Sequence, residues 1–318
     1  MASGCHTRAL AGRAAGCFGR LRRPARAGAP PRALQFGIGH LGAIVTVTVE
    51  AHVAITWIER VTREGVSERA RDEVAVEEPL EIRVDGEPLA VTMRTPGEDE
   101  ELAAGFLAGE GLIGDGRDLR SVGPTEDLAA NVVEVRTLEG LRRDPRDERR
   151  FYLTSSCGVC GKAALEFVRR EAPPARRAAP LRPELVLELP AAARRRQRSF
   201  ERTGGLHATA LFEAGGALLA LREDVGRHNA MDKALGSLLL AGRWPLPGVV
   251  ACLSGRAGFE LVQKASVAGL AGIVAVGAPT TLAVELAEQR GMLLCGFVRG
   301  NSFNVYAGRD RIADRSPN

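Results

Sequence analysis

Aromatic residues make up only 4% of this 318-residue chain, and no apolar run reaches the ~18 to 20 residues that a membrane-spanning helix needs. The longest runs, Gly248–Ser254 and Gly269–Ala278, are short and glycine-bearing, and they read as buried strands. A membrane span is therefore not expected. Lysine is nearly missing as well: of 43 basic residues three are lysines, Lys162, Lys233 and Lys264. Such arginine dominance reflects GC-rich coding. Under that bias a retained lysine points to a need for a compact ammonium, which a guanidinium does not mimic. All three lie in the second half of the chain.

Cysteine is also sparse. Six in a chain this long do not make a disulfide scaffold, and the usage fits a reducing, cytoplasmic compartment. Cys252 and Cys295 sit in apolar runs and read as small buried hydrophobes. Cys157 and Cys160 alone are closely spaced and flanked by glycine. The net charge of +4 is mild and gives no reason to expect a nucleic-acid partner.

Residues 1–55 differ from the rest. They carry seven arginines, no lysine and no acid before Glu50. A transit peptide has this composition. Translated GC-rich DNA upstream of a true start has it too, and the arginine bias favours that origin. The segment is expected to be disordered or mis-annotated, with folding beginning near Val61. Residues 56–150 are expected to form a small α+β subdomain. It holds a hairpin over Pro79–Val91 around Asp85-Gly86, a helix led by Glu98 or Asp99, and a strand at Val132–Val135. Glu184–Phe200 reads as one helix despite Pro190. From Thr203 strands and helices alternate. Strands are expected at 206–212, 217–221, 249–253, 273–276, 292–297 and 303–306, with helices at 229–240, 259–268 and 281–290. The fold class expected is α/β, a mixed and largely parallel sheet with helices on both faces, over residues 151–314.

The chemistry concentrates at Ser155-Ser156-Cys157-Gly158-Val159-Cys160-Gly161-Lys162, followed by an apolar helical pattern. A serine cap, a helix N-terminus and Lys162 would each lower a thiol pKa, and the thiolate is the nucleophile. Three uses of the pair stay open on residues alone: ordinary loop cysteines, half of a zinc site, or thiol and persulfide chemistry. A structural zinc needs four ligands, and the sequence has no second Cys-x-x-Cys. No metal site is expected.

Four segments occur together in order. They are the thiol segment, Thr203-Gly204-Gly205-Leu206-His207-Ala208, Arg222-Glu223-Asp224-Val225-Gly226-Arg227-His228-Asn229-Ala230-Met231-Asp232-Lys233, and Ser254-Gly255-Arg256-Ala257-Gly258-Phe259-Glu260-Leu261-Val262-Gln263-Lys264. In this the chain resembles the formate dehydrogenase accessory sulfurtransferases, the FdhD/NarQ family, over roughly residues 60–314. The resemblance implies a cytidine-deaminase-like main domain, a smaller β-rich N-terminal subdomain and a homodimer. It implies a sulfurtransferase that takes sulfur from a cysteine desulfurase as a persulfide on Cys157. The sulfur would pass to the molybdenum bis-molybdopterin guanine dinucleotide cofactor of the formate dehydrogenase catalytic subunit. Cys160 matches the second family position, either as a resolving thiol or as a group that tunes Cys157. The cofactor contact is implied at Phe297, Val298, Arg299, Gly300, Asn301 and Ser302, a stretch that taken by itself also reads as an ordinary strand-to-strand turn.

Two further readings are weighed against this one: a non-catalytic cofactor-binding chaperone, and a thiol oxidoreductase or zinc-binding protein. Zinc deaminases carry His-x-Glu and Pro-Cys-x-x-Cys. Here Thr209 stands at the glutamate position and no proline precedes Cys157, so the deaminase zinc centre is not expected. Asp224, Arg227, His228, Asn229, Asp232 and Lys233 form the densest polar cluster. They read either as a capped helix start with solvated charges or as a wall of the cofactor cavity. His207 reads equally as a satisfied core histidine and as a functional one.

Overall fold

The structure is a computed structural model that describes residues 32–36, 45–50, 52–124, 131–142, 175 and 180–314, with backbone alone at 32–36, 45–50 and 66–67. Four strands, β1 (Arg32–Phe36), β2 (Val45–Glu50), β3 (Val53–Thr62) and β4 (Gly65–Ala75), form an antiparallel sheet in that order. This corrects the expected start near Val61. Strands are described within residues 1–55, and Val53 and Ala54 are buried. Their side chains are small and apolar at the base of a long hairpin, where alternation is too short to stand out in the sequence.

A second sheet follows, from β5 (Glu78–Val84), β6 (Glu87–Arg94), β7 (Leu119–Gly123) and β8 (Val132–Thr137), in the order β6-β5-β8-β7. Asp85 and Gly86 both take positive φ, 53° and 93°. That is the geometry a two-residue hairpin turn between right-twisted strands requires. The Asp85 carboxylate accepts bonds from the Thr137 N–H and Oγ1. Burial opposes its charge, but those bonds with Arg136 and Arg120 hold its pKa below the usual value.

Helix α1 (Asp99–Gly109) covers this sheet, burying Leu102, Ala103, Leu107 and Ala108 against Leu80, Ile82, Val133 and Val135. Further along the chain come α2 (Pro183–Arg194) and α3 (Arg198–Thr203). The single helix expected over Glu184–Phe200 is thus two. Pro183 opens α2, where its missing N–H costs nothing. Pro190 is accommodated inside it, and the break falls at 195–197.

The main sheet comprises β9 (His207–Phe212), β10 (Leu218–Asp224), β11 (Val250–Leu253), β12 (Gly272–Ala275), β13 (Leu293–Arg299) and β14 (Ser302–Ala307), ordered β10-β9-β11-β12-β13-β14. It is mixed, as expected, but not largely parallel: two of its five pairings are parallel. Parallel pairing runs through its centre, β11-β12-β13, while both flanks are antiparallel. The short β9–β10 and β13–β14 connections leave no room for a crossover, so those pairs must be hairpins.

Alternation along the strands sorts two cores. Leu211, Ala251, Leu253, Ile273 and Ala275 face α4 (Arg227–Leu240), α5 (Phe259–Val267) and α6 (Thr281–Arg290). Ala210, Phe212, Val250, Cys252 and Val274 face α2 on the other side. Helices on both faces explain why these strands read as short continuous apolar runs. Cys252 and Cys295 are buried as expected, and burial pushes each thiol up to about 12. At neutral pH neither supplies a thiolate.

Helix α1 also crosses α4 at very short range. A Cβ on Gly105 would fall inside the Asp232 backbone carbonyl, and one on Gly236 inside that of Glu101. In a free helix alanine is preferred over glycine by about 1 kcal/mol. Here steric overlap reverses the sign. Gly236→Ala is expected to cost about 1 to 3 kcal/mol, read from a fall in the urea midpoint; an unchanged or raised midpoint would contradict the close crossing. Among the described residues no helix is long and apolar enough to cross a membrane.

Candidate functional site

The carboxyl ends of the parallel strands lie on one edge of the main sheet, and a chain of contacts runs along it. Asp224, at the end of β10, pairs in register with His207 at the start of β9. A Cβ on Gly255, after β11, would lie 3.2 Å from His207 Nδ1. Gly277 follows β12, and its N–H donates to the Gly255 carbonyl at 3.0 Å. The Phe297 N–H donates to the Gly277 carbonyl at 3.1 Å. A side chain on Gly277 would strike the Gly255 backbone and the Arg256 N, so only glycine allows the loops to pack this closely. The helices α4, α5 and α6 all begin at this edge, and none has a side-chain cap. Ligands of open α/β sheets collect at such edges, and uncapped helix starts favour anions there.

Three arginines line the row. Arg227 opens α4, Arg256 follows Gly255, and Arg299 ends β13. None of the three makes an ion pair or side-chain hydrogen bond with another described residue. Arg299 lies over the Phe297 ring, 5.6 Å from its centroid. His228 joins Arg227 at the start of α4, with its Nε2 2.7 Å from Glu260 Oε2 on α5. That contact holds the Glu260 carboxyl below its ordinary pKa. His207 is half-buried, and burial, then the Arg227 and His228 charges, lower its pKa. Its imidazole is therefore neutral at pH 7.

The expected contact stretch forms the tip of the β13–β14 hairpin. Arg299 pairs with Ser302, and Gly300-Asn301 make the turn. Gly300 takes φ +60°, as the first central residue of a type II′ turn does. Phe297 is left-handed at φ +53°, where the register with β14 shifts. Non-glycine residues pay about 1 to 3 kcal/mol for such backbone. The bulge turns Phe297 outward, 36% exposed, while Val298 is buried against the α2 face. Arg299, Gly300, Asn301 and Ser302 are exposed. The stretch is thus a turn by construction, and it places its polar groups at the end of the carboxyl edge. Cys157, Cys160 and Lys162 lie outside the described residues.

The six-residue polar cluster divides. Asp224, Asn229 and Lys233 are neither solvated nor a cavity wall; they are buried and tied to the end of β6. Asp224 accepts from the Thr95 N–H at 3.1 Å and lies 2.9 Å from Lys233 Nζ. Lys233 donates to the Thr95 carbonyl, and Asn229 to the Met93 carbonyl, both at 2.7 Å. The partners stand about 130 residues away in sequence, so no local pattern could reveal them. Arg227 and His228 remain at the edge. Asp232 points elsewhere: its Oδ1 lies 2.9 Å from Lys264 Nζ, which also donates to Glu110 at the end of α1.

That Asp232–Lys264–Glu110 cluster was not singled out by sequence, although Lys264 is one of the three retained lysines. Its ammonium is buried and lies 5.3 Å from the Phe106 ring centroid. Burial raises the Asp232 carboxyl to about 6, against the pull of Lys264. Burial also works against the Lys264 charge, but Asp232 and Glu110 outweigh it and raise its pKa. Lys233 and Lys264 are both buried cations, and a compact ammonium is what each position accommodates.

A mixed, helix-covered sheet whose carboxyl edge carries three arginines without an ion-pair partner among the described residues defines a class: an α/β protein with a cationic carboxyl edge. The comparisons name the family. The model of the FdhD/NarQ family matches residues 75–313, and the chain belongs to that family. A relative from Streptomyces coelicolor, named sulfur carrier protein FdhD, is 52% identical over 268 residues, covering 80% of this chain and 94% of its own. A relative of the same name from Anaeromyxobacter dehalogenans is 48% identical over 262 residues, covering 78% of this chain and 91% of its own. A crystal structure of a protein assigned as a formate dehydrogenase accessory protein, from Desulfotalea psychrophila, shares the fold. Its TM-score is 0.66 at 26% identity, covering 82% of this chain and all of that one.

Proposed function

We propose that this chain is a sulfur carrier that accepts sulfur on Cys157 from a cysteine desulfurase. It delivers that sulfur to a molybdenum bis-molybdopterin guanine dinucleotide destined for formate dehydrogenase. The observation that carries the reading is 52% identity, over 80% of the chain, to a protein named as a sulfur carrier. The chemistry of the thiol segment supports it. The Cys157 thiolate attacks the outer sulfur of the donor's persulfide. The donor's S–S bond breaks, the donor cysteine leaves as a thiolate, and no net oxidation occurs. Cys160 can then attack the inner sulfur of the Cys157 persulfide. That step forms a Cys157–Cys160 disulfide and expels the outer sulfur as hydrosulfide, reduced by the two electrons the thiols give up.

The edge fits the acceptor. A guanine dinucleotide brings several phosphate charges, and Arg227, Arg256 and Arg299 are spread along the row without an ion pair to another described residue. Guanidinium groups bind phosphate through a planar fork. Asn301 on the open hairpin tip has both donor and acceptor for a base edge. The acceptor's molybdenum takes the sulfur; the chain's own task is to hold the nucleotide end and present the thiol. The assembly we propose is a cytoplasmic homodimer.

The test is intact mass under non-reducing conditions, after incubation with a cysteine desulfurase and cysteine. The expected result is a gain of one sulfur atom per chain, reversed by a thiol reductant. A chain that gains no mass while the desulfurase itself is loaded would overturn the reading.

A further inference from the structure

Two ends of the carboxyl edge carry cationic side chains, Arg299 exposed and Arg227 partly buried, and they are far apart. Asp224, His207, Gly255, Gly277 and Phe297 mark five adjacent strands. Four strand spacings of about 4.8 Å put the first and last roughly 19 Å apart. A single diphosphate, a few ångströms long, cannot touch both ends. A diphosphate held at the hairpin tip by Arg299 therefore does not reach Arg227.

We propose that Arg227 and His228, with His207 beside them, form a second anion subsite that takes the diphosphate of a nucleotide ligand. The proposal rests on the nucleotide part of the function proposed above and adds where a second phosphate group sits. Arg227 makes no ion pair or side-chain hydrogen bond at contact distance with a described residue, although its charge acts on Glu260. His228 Nε2 lies 2.7 Å from Glu260 Oε2, which fixes the ring. His207 enters from another element, β9, and is half-buried, so it adds a directed hydrogen-bonding nitrogen without a second full charge. Gly255 packs on its ring and brings no side chain of its own. Asp224 lies close by in register, but its carboxylate is buried and committed to Lys233, Thr95, Gly226 and Asn229. It does not repel a ligand as a free carboxylate would. Glu260 is held by His228, and Asp232, which also feels the His228 charge, is buried against Lys264.

The probe is inorganic pyrophosphate, titrated calorimetrically into the full chain at pH 7 and constant ionic strength. Wild type is expected to bind it. Arg227→Ala and His228→Gln are expected to bind about 10- to 100-fold more weakly, the loss of one charged hydrogen bond each. Arg243→Ala is expected to bind it within about twofold of wild type. Arg243→Ala controls for bulk charge: it removes one arginine from the region beyond the far end of α4, where Arg243 pairs with Glu213. Thermal melts confirm that each variant is folded, and His228→Gln keeps ring-sized volume and polarity should Arg227→Ala fail to fold. Unchanged binding in both Arg227→Ala and His228→Gln, or no binding by wild type, overturns the subsite. Equal weakening by Arg243→Ala overturns its specificity. GDP distinguishes the two proposals. If GDP fails to bind while pyrophosphate still depends on Arg227 and His228, the nucleotide reading falls and the anion subsite stands.

Discussion

Cys157→Ala is expected to take up no sulfur from a cysteine desulfurase, while Cys160→Ala is expected to load one atom as wild type does. The asymmetry follows from displacement chemistry. Loading needs a single thiolate nucleophile, and the neighbour is not required until sulfur leaves. The four other cysteines do not substitute for it. Cys252 and Cys295 are buried, with thiols pushed up to about 12, and are neither accessible nor ionised at neutral pH. Cys5 and Cys17 lie outside the family match at 75–313. Peptide mapping of the loaded chain should put the added sulfur on the peptide holding Cys157. If Cys160→Ala is the variant that fails to load, the roles of the two thiols are exchanged. A Cys160→Ala chain that loads but retains its sulfur under conditions where wild type releases it identifies Cys160 as the resolving thiol. Release at the wild-type rate leaves it a tuning role.

Lys264→Met should be the most damaging single change in the described core. It removes a buried ammonium from between two carboxylates and leaves Asp232 buried and without its partner. Breaking a buried pair from one side costs about 3 to 5 kcal/mol. Replacing both members, Asp232→Leu with Lys264→Met, is expected to recover most of that. The volume stays filled, and Glu110 is exposed enough to turn to water. The pH dependence carries the sign. The Asp232 carboxyl in the folded chain is already raised to about 6 by burial, above its unfolded value near 3.9. A raised carboxyl favours folding below the unfolded pKa and loses that contribution as pH rises through the folded one. Without Lys264 the carboxyl rises further. The single variant should therefore lose stability between about pH 4 and pH 7, and the double variant should not show that slope. Urea unfolding across that range decides it: a single variant within about 1 kcal/mol of wild type at pH 7, or a double variant no better than the single, contradicts the account.

The periodic parts of the fold were legible because each depends on neighbours in sequence. Alternation with short apolar runs marked β11, β12 and β13, and turn residues marked the Asp85-Gly86 and Gly300-Asn301 hairpins. What stayed hidden depends on residues far apart. Glu110 and Lys264 are separated by 154 positions, and Thr95 and Lys233 by 138. Gly105 and Gly236 read as weak helix positions, yet each is the one residue that permits the crossing of α1 and α4. Arg227 and Asp232 looked alike in the polar cluster; which one faces the edge depends on where α5 and α1 pack. The break at 195–197 was masked by a prolonged helical pattern, while Pro190, the obvious breaker, is tolerated. The thiol pair was conspicuous in sequence from its spacing and its glycines, and its geometry lies outside the described residues.

The central claim is a direction of flow, from the desulfurase through Cys157 to an acceptor held near Arg299. It is tested most directly by loading the chain with radiolabelled sulfur, removing the desulfurase and adding the molybdenum cofactor in a single turnover. The account predicts that wild type transfers its label to the cofactor. Arg299→Ala should load the same amount and keep it, because the nucleotide end is no longer held. Full delivery by Arg299→Ala, or label that leaves wild type without reaching the cofactor, would contradict it.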